Sequence, residues 1–101
     1  MSTQTCEDTM VLEEVQIKEP STYQVVFLND DKTHIEFVVD VLASVFHKTL
    51  VDAEMVTLQI HHTGRGIAGV YSEEIAETKQ EETTKLARAN GFPLQVVVEE
   101  V

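Results

Sequence analysis

The chain has one cysteine, two prolines, four glycines and few positive charges. A lone Cys6 excludes an intrachain disulfide and fits a reducing compartment. Seven Lys and Arg stand against eighteen Asp and Glu, a formal net charge of −11. That imbalance repels phosphate backbones and anionic lipid surfaces, so neither nucleic acid nor a membrane is an expected partner; a basic partner would be drawn in. No segment approaches the roughly 20 apolar residues of a membrane-spanning helix. Residues 1–20 lack the basic start and apolar stretch of a secretory signal, so a cytoplasmic protein is expected. No glycine-rich nucleotide fingerprint occurs, and Gly64-Arg65-Gly66 is too short for a phosphate loop. There is no serine-centred nucleophile elbow, internal repeat or low-complexity tract.

What is present suffices for one domain. The chain has 101 residues and is 43% apolar, enough for a modest core without metal or disulfides. Residues 1–21 are polar and acidic and end at Pro20-Ser21, which predicts a flexible N-terminal extension ahead of a domain over 22–101. Met10-Val11-Leu12 within it could form a transient helix or dock on a partner.

Tyr23 to Leu28 is β-branched and aromatic and reads as a strand. Asn29 to Lys32 is turn chemistry. Thr33 and Glu36 fit a capping box that opens a helix from about His34 to about His47. Thr49 caps a second helix from about Leu50 to about His62, with Gly64 as a left-handed stop. Ile67 to Tyr71 is a short strand. Ser72 caps a third helix whose first turn carries Glu73 and Glu74, where the helix dipole favours anions. Asn90-Gly91 ends that helix, Pro93 prevents its return, and Leu94 to Glu99 is the last strand. The expected fold is therefore α+β: a two-layer sandwich of a three-stranded antiparallel sheet and three helices, in the order β-α-α-β-α-β.

The strongest chemical feature is Asn29-Asp30-Asp31 at the end of an apolar strand, with His61 further along. An ammonium group needs three acceptors; an amide oxygen, a carboxylate and a neutral imidazole supply them through charge-assisted hydrogen bonds. Beside apolar side chains, such a cluster suits a cation carrying an apolar group, of which the free amino terminus of a polypeptide is one example. The same residues also read as a plain polar turn before a helix. A metal site of Asp30, Asp31, His61 and His62 is a further alternative, disfavoured because adjacent helical residues point about 100° apart. An acid–base enzyme using Asp30, Asp31 and His61 would lack an oxyanion hole or electrophile. His34 and His47 read as surface residues near helix ends. The acidic third helix reads as a solvated face with internal pairs such as Glu81 with Lys85, or as a docking surface.

Several blocks together resemble the ClpS family, bacterial adaptors that deliver N-degron substrates to the Clp AAA+ unfoldase and its protease. They are Tyr23 to Asp31, Glu36-Phe37-Val38-Val39-Asp40-Val41-Leu42, His61 with Gly64, Gly69-Val70-Tyr71, Ala76-Glu77-Thr78-Lys79, Ala87-Arg88-Ala89-Asn90 and Pro93-Leu94. The resemblance covers about residues 22–99. It implies an adaptor with no catalytic residues and no cofactor or metal, partnered by N-degron polypeptides and by the N-terminal domain of a ClpA- or ClpC-type unfoldase; a monomer is the default expectation. It implies that the substrate α-amino group is held by Asn29, Asp31 and His61, with Asp30 beside them. It also implies a pocket for a first residue of Leu, Phe, Tyr or Trp, walled by Ile35, Val38, Thr57, Ile60 and Leu94. Unfoldase docking falls to Glu74 and Lys79, and substrate handover to the N-terminal extension. An accepting His61 must be neutral, so affinity is expected to fall as acid protonates it; flat affinity from neutral to mildly acidic pH would count against that role.

The chain departs from the family at four places. Ile35 and Thr57 stand where Met is usual, His34 where Pro is common, and His62 where an aromatic is usual. Ile35 is stiffer and shorter than Met, and Thr57 removes volume while adding a hydroxyl that needs a partner. The expectation is a pocket more tolerant of large aromatic first residues. An alternative reading is an interaction module of the same fold with another partner, similar to the C-terminal domain of the ribosomal stalk protein. That family lacks the Asn-Asp-Asp turn with a distant His.

Overall fold

A computed structural model describes residues 21–101; the expected extension over 1–21, with Cys6 and Met10-Val11-Leu12, lies outside the described residues apart from Ser21. The elements are β1 (Tyr23–Leu28), α1 (Ile35–Ser44), α2 (Leu50–Thr63), β2 (Arg65–Tyr71), α3 (Glu73–Ala89) and β3 (Gln95–Glu100). β1 is the central strand, antiparallel to both neighbours in the order β2-β1-β3. The expected α+β order is therefore the observed one. Alternation along β1 sends Val25 and Phe27 into a core shared with Val38, Val41, Leu42, Phe46, Ala53, Ile60, Ala76, Ala87, Leu94 and Val96.

Gln24, Val26 and Leu28 point to the other face of the sheet, away from that core. Val26 is fully buried there. A polar clasp crosses the three strands on that face: Arg65 donates to Glu99 Oε1 at 2.6 Å, and Gln24 Nε2 donates to the same oxygen at 3.1 Å. These bonds, that from Arg65 foremost, hold the Glu99 carboxyl below its ordinary range. β2 shifts register against β1 between Val25 and Val26, which pair with Gly69 and Ile67, so Ala68 is the extra residue of a bulge.

Helix termini follow local chemistry in part. The Thr49 side chain accepts from the Asp52 amide at 3.1 Å, and Gly64 closes α2 in the left-handed region at φ 92°. The Thr33–Glu36 capping box does not form: α1 starts one residue later than expected, with His34 as its N-cap and no side-chain cap bond. Thr33 is instead taken by Asp30, whose Oδ2 accepts from the Thr33 hydroxyl at 2.8 Å. Ser72 occupies the N-cap of α3 but makes no side-chain cap bond. β2 begins at Arg65 rather than Ile67, because the bulge brings Gly66 and Arg65 opposite Phe27 and Leu28. At Gly66 a Cβ would meet Ile60 Cγ1 at 2.6 Å, so α2 lies closer to the sheet than any other residue would allow.

α3 is tied to the end of α1 by Lys79. Its ammonium donates to the Val45 carbonyl at 2.7 Å and sits 5.9 Å and 5.6 Å from the ring centres of Phe46 and Tyr71. Such a cation satisfies a helix-terminal carbonyl and gains from the two ring faces. His47, in the loop that follows, adopts φ 57°, uncommon for a residue with a side chain. The Thr83 hydroxyl on α3 is buried with no partner among the described residues.

Candidate functional site

The turn between β1 and α1 is built by Asp30. Its Oδ1 accepts from the amides of Lys32 and Thr33, both at 2.7 Å, and its Oδ2 accepts from the Thr33 hydroxyl. Partial burial pushes its carboxyl up, but these bonds, with the Arg88 charge nearby, outweigh it and hold the group below the ordinary carboxylate range. Arg88 also donates to the Phe92 and Leu94 carbonyls at 3.0 and 2.8 Å, fixing the loop between α3 and β3. Phe92 packs between His34 and Phe37, with ring centres 4.9 and 5.0 Å away. The turn is thus braced on two sides.

Asp30 spends its oxygens on the turn. Asn29 and Asp31, on either side, are exposed, and among the described residues their side chains make no hydrogen bond. The Asn29 amide donates to the Gly64 carbonyl at 2.9 Å. Gly64 caps α2 three residues beyond His61, so this bond draws the acceptor turn to the end of α2 that carries the imidazole. His61 is exposed, its ring 5.6 Å from that of His62. No group of three or more His, Cys, Asp or Glu among the described residues could hold a metal ion.

α1 and α2 also pack against one another, and a groove of about 480 Å³ opens between them. It is lined by Ile35, Glu36, Val39 and Asp40 from α1 and by Glu54, Thr57, Leu58 and His61 from α2. Ile35, Thr57 and His61, expected from the sequence, meet here. Val38, Ile60 and Leu94 do not line this groove; they are 7, 5 and 1% exposed and belong to the core. The Thr57 hydroxyl has its partner: it donates to the Ala53 carbonyl one turn earlier at 2.8 Å. Glu36, Val39, Asp40, Glu54 and Leu58 were not anticipated. Positions 54, 57, 58 and 61 share one helical face, so the period was visible, but not that this face meets α1.

Glu74 is exposed in the first turn of α3, while Lys79 is half-buried and committed to Val45. The two expected docking residues therefore differ: Glu74 is available to a partner, and Lys79 joins two helices.

Comparison with known proteins gives a consistent result. The family model described as "ATP-dependent Clp protease adaptor protein ClpS" matches residues 18–97. A Campylobacter jejuni protein named ATP-dependent Clp protease adapter protein ClpS is 45% identical over 92 residues, covering 91% of this chain and 96% of that one. Its namesake from Deinococcus radiodurans is 45% identical over 91 residues, 90% and 80% of the two chains. The solved structure of Agrobacterium tumefaciens ClpS2 bound to L-phenylalaninamide superposes with a TM-score of 0.79 at 38% identity, covering 82% of this chain and all of that one.

Proposed function

The chain belongs to the ClpS family of ATP-dependent Clp protease adaptor proteins, and from that premise we propose how its site works. It is an adaptor, not an enzyme. The site takes the amino terminus of an N-degron polypeptide with a bulky first residue and presents that polypeptide to the Clp unfoldase. The α-amino group, cationic at neutral pH since its pKa is about 8, is held by Asn29, Asp31 and His61. Asp30 positions the turn rather than contacting the amine. The first side chain, Leu, Phe, Tyr or Trp, enters against Ile35 and Thr57, and Val38, Ile60 and Leu94 support that wall from the core. The observation that carries this reading is the Asn29–Gly64 bond, which joins an unspent acceptor turn to the His61 end of an apolar-walled groove. The Agrobacterium relative, bound to a free-amine phenylalanine derivative, supports it.

The partner is the N-terminal domain of a ClpA- or ClpC-type unfoldase, met by the acidic face of α3 at Glu74. The protein works as a cytoplasmic monomer; among the described residues no helix is long and apolar enough to cross a membrane. The segment over 1–21 serves in handing substrate over.

The test is fluorescence anisotropy with a labelled peptide beginning with Phe, against the same peptide acetylated at its amine. Binding of the free amine alone is the expected result; equal binding, or none, would sink the reading. Truncating Asn29, Asp31 or His61 to Ala strands an ammonium donor, at a cost of about 1–3 kcal/mol each, or roughly five- to 150-fold in affinity.

A further inference from the structure

α2 carries an apolar ridge outside the core. Val51, Met55 and Leu58 follow one another at i, i+4 and i+7 on one helical face, and are 65, 62 and 57% exposed. No described residue covers them. Leu58 also lines the groove, so the ridge begins at the site and runs away from His61 toward the start of α2. Asp52 and Glu54 flank it on either side.

We propose that this ridge is the track for the substrate residues that follow the first one, and that it selects apolar side chains at substrate positions two to four. The inference rests on the reading of the groove as an N-degron site. Three features favour that occupant. The ridge is continuous with the groove through Leu58. Its length matches: seven helical residues rise about 10 Å, which an extended peptide spans in about three residues. Its charge disfavours a second copy of this chain, since two such ridges would bring Asp52 and Glu54 against their own images in a protein of net charge −11. L-phenylalaninamide, the ligand of the Agrobacterium relative, is a single residue and leaves such a track unoccupied.

The experiment compares two labelled peptides on the full chain, both with a free amine and a first Phe. One continues Leu-Val-Leu, the other Ser-Gly-Ser. The apolar peptide is expected to bind about tenfold more tightly, the worth of partly burying two side chains. In the Val51→Ser, Met55→Ser double variant that ratio falls to about one; both positions are exposed, and circular dichroism checks that the variant is folded. Equal affinities of the two peptides for the unaltered chain, with acetylation still abolishing both, would overturn the track and leave the amine site standing. Binding of neither peptide would overturn both. A dimer in sedimentation equilibrium that the double variant dissolves would assign the ridge to a second copy and overturn the track as well.

Discussion

The Asn29 amide and the Gly64 carbonyl meet at 2.9 Å, joining two segments that share no secondary-structure element. One carries the acceptor turn, the other closes the helix that bears Thr57, Leu58 and His61. The distance between the Asn29 and His61 side chains therefore depends on a backbone bond that neither side chain makes. Gly64 can offer its carbonyl there because it turns the chain at φ 92°.

Gly64→Ala is accordingly expected to harm both stability and recognition. Space is not the obstacle, since a Cβ would meet nothing within 4 Å. The cost is conformational, about 1–2 kcal/mol for a residue with a side chain in the left-handed region. That lowers the melting temperature by about 4–8 °C per kcal/mol in a domain of this size. An unchanged melting temperature would show that the backbone relaxes there without cost.

Asp30→Asn tests whether this carboxylate is a positioning group. The folded-state carboxyl is held below its ordinary value. Its stabilisation is thus fully present above the unfolded pKa of about 3.9 and is lost as pH falls through the lower folded value. The melting-temperature gap between the parent and Asp30→Asn should be widest at neutral pH and should close in strong acid. The group is mostly solvated, so the gap will be small. A gap constant with pH would refute the charge as its cause. Phe-peptide affinity should weaken less for Asp30→Asn than for Asp31→Asn, because Asn keeps an oxygen for the Lys32 and Thr33 amides.

These local features also show what a sequence discloses. Thr49 and Gly64 bound α2 where expected, because each acts on its own backbone within four residues. The Thr33–Glu36 box gives way to Asp30, three residues upstream, which accepts from the Thr33 amide that the Glu36 carboxylate would have bonded and from the Thr33 hydroxyl as well. The sequence does not show Arg65 and Gly66 as strand because a charged residue between two glycines has little strand propensity; their pairing with Leu28 and Phe27 is long-range. Asn29, Asp31, Ile35, Thr57 and His61 are legible as candidates, yet the commitment of Asp30 to the turn is not, since it depends on which carboxylate the Lys32 and Thr33 amides meet. Val38, Ile60 and Leu94 are expected as pocket walls from the sequence, but only the packing shows them buried in the core.

Lys79→Ala separates a docking role from a structural one. Nζ bonds the Val45 carbonyl and lies over Phe46 and Tyr71, so truncation leaves a helix-end carbonyl unpaired. A loss of about 1.5 kcal/mol is expected, the low end for a charged hydrogen bond because the group is only half-buried. Glu74→Ala, at an exposed site, should leave stability within about 0.5 kcal/mol and weaken only unfoldase binding. Equal melting temperatures for Lys79→Ala and the parent would assign Lys79 to the docking surface instead.

Thr57 sets the expected choice among first residues. Its hydroxyl is committed to the Ala53 carbonyl, so it adds no unpaired polar group to the groove. Its short side chain leaves the wall shallower than a methionine would, which favours wide aromatic rings over branched leucine. Peptides beginning with Phe, Tyr and Trp should therefore bind at least as well as one beginning with Leu. Thr57→Met adds about two heavy atoms' length to that wall and should weaken the Trp peptide by about fivefold, the scale of 1 kcal/mol of overpacking, with little change for Leu. Thr57→Val keeps the shape and removes the hydroxyl, so it should preserve the ranking. A parent that prefers Leu over all three aromatics, or a Thr57→Met variant that loses Leu first, would place the selectivity elsewhere, with Ile35 the next residue to change.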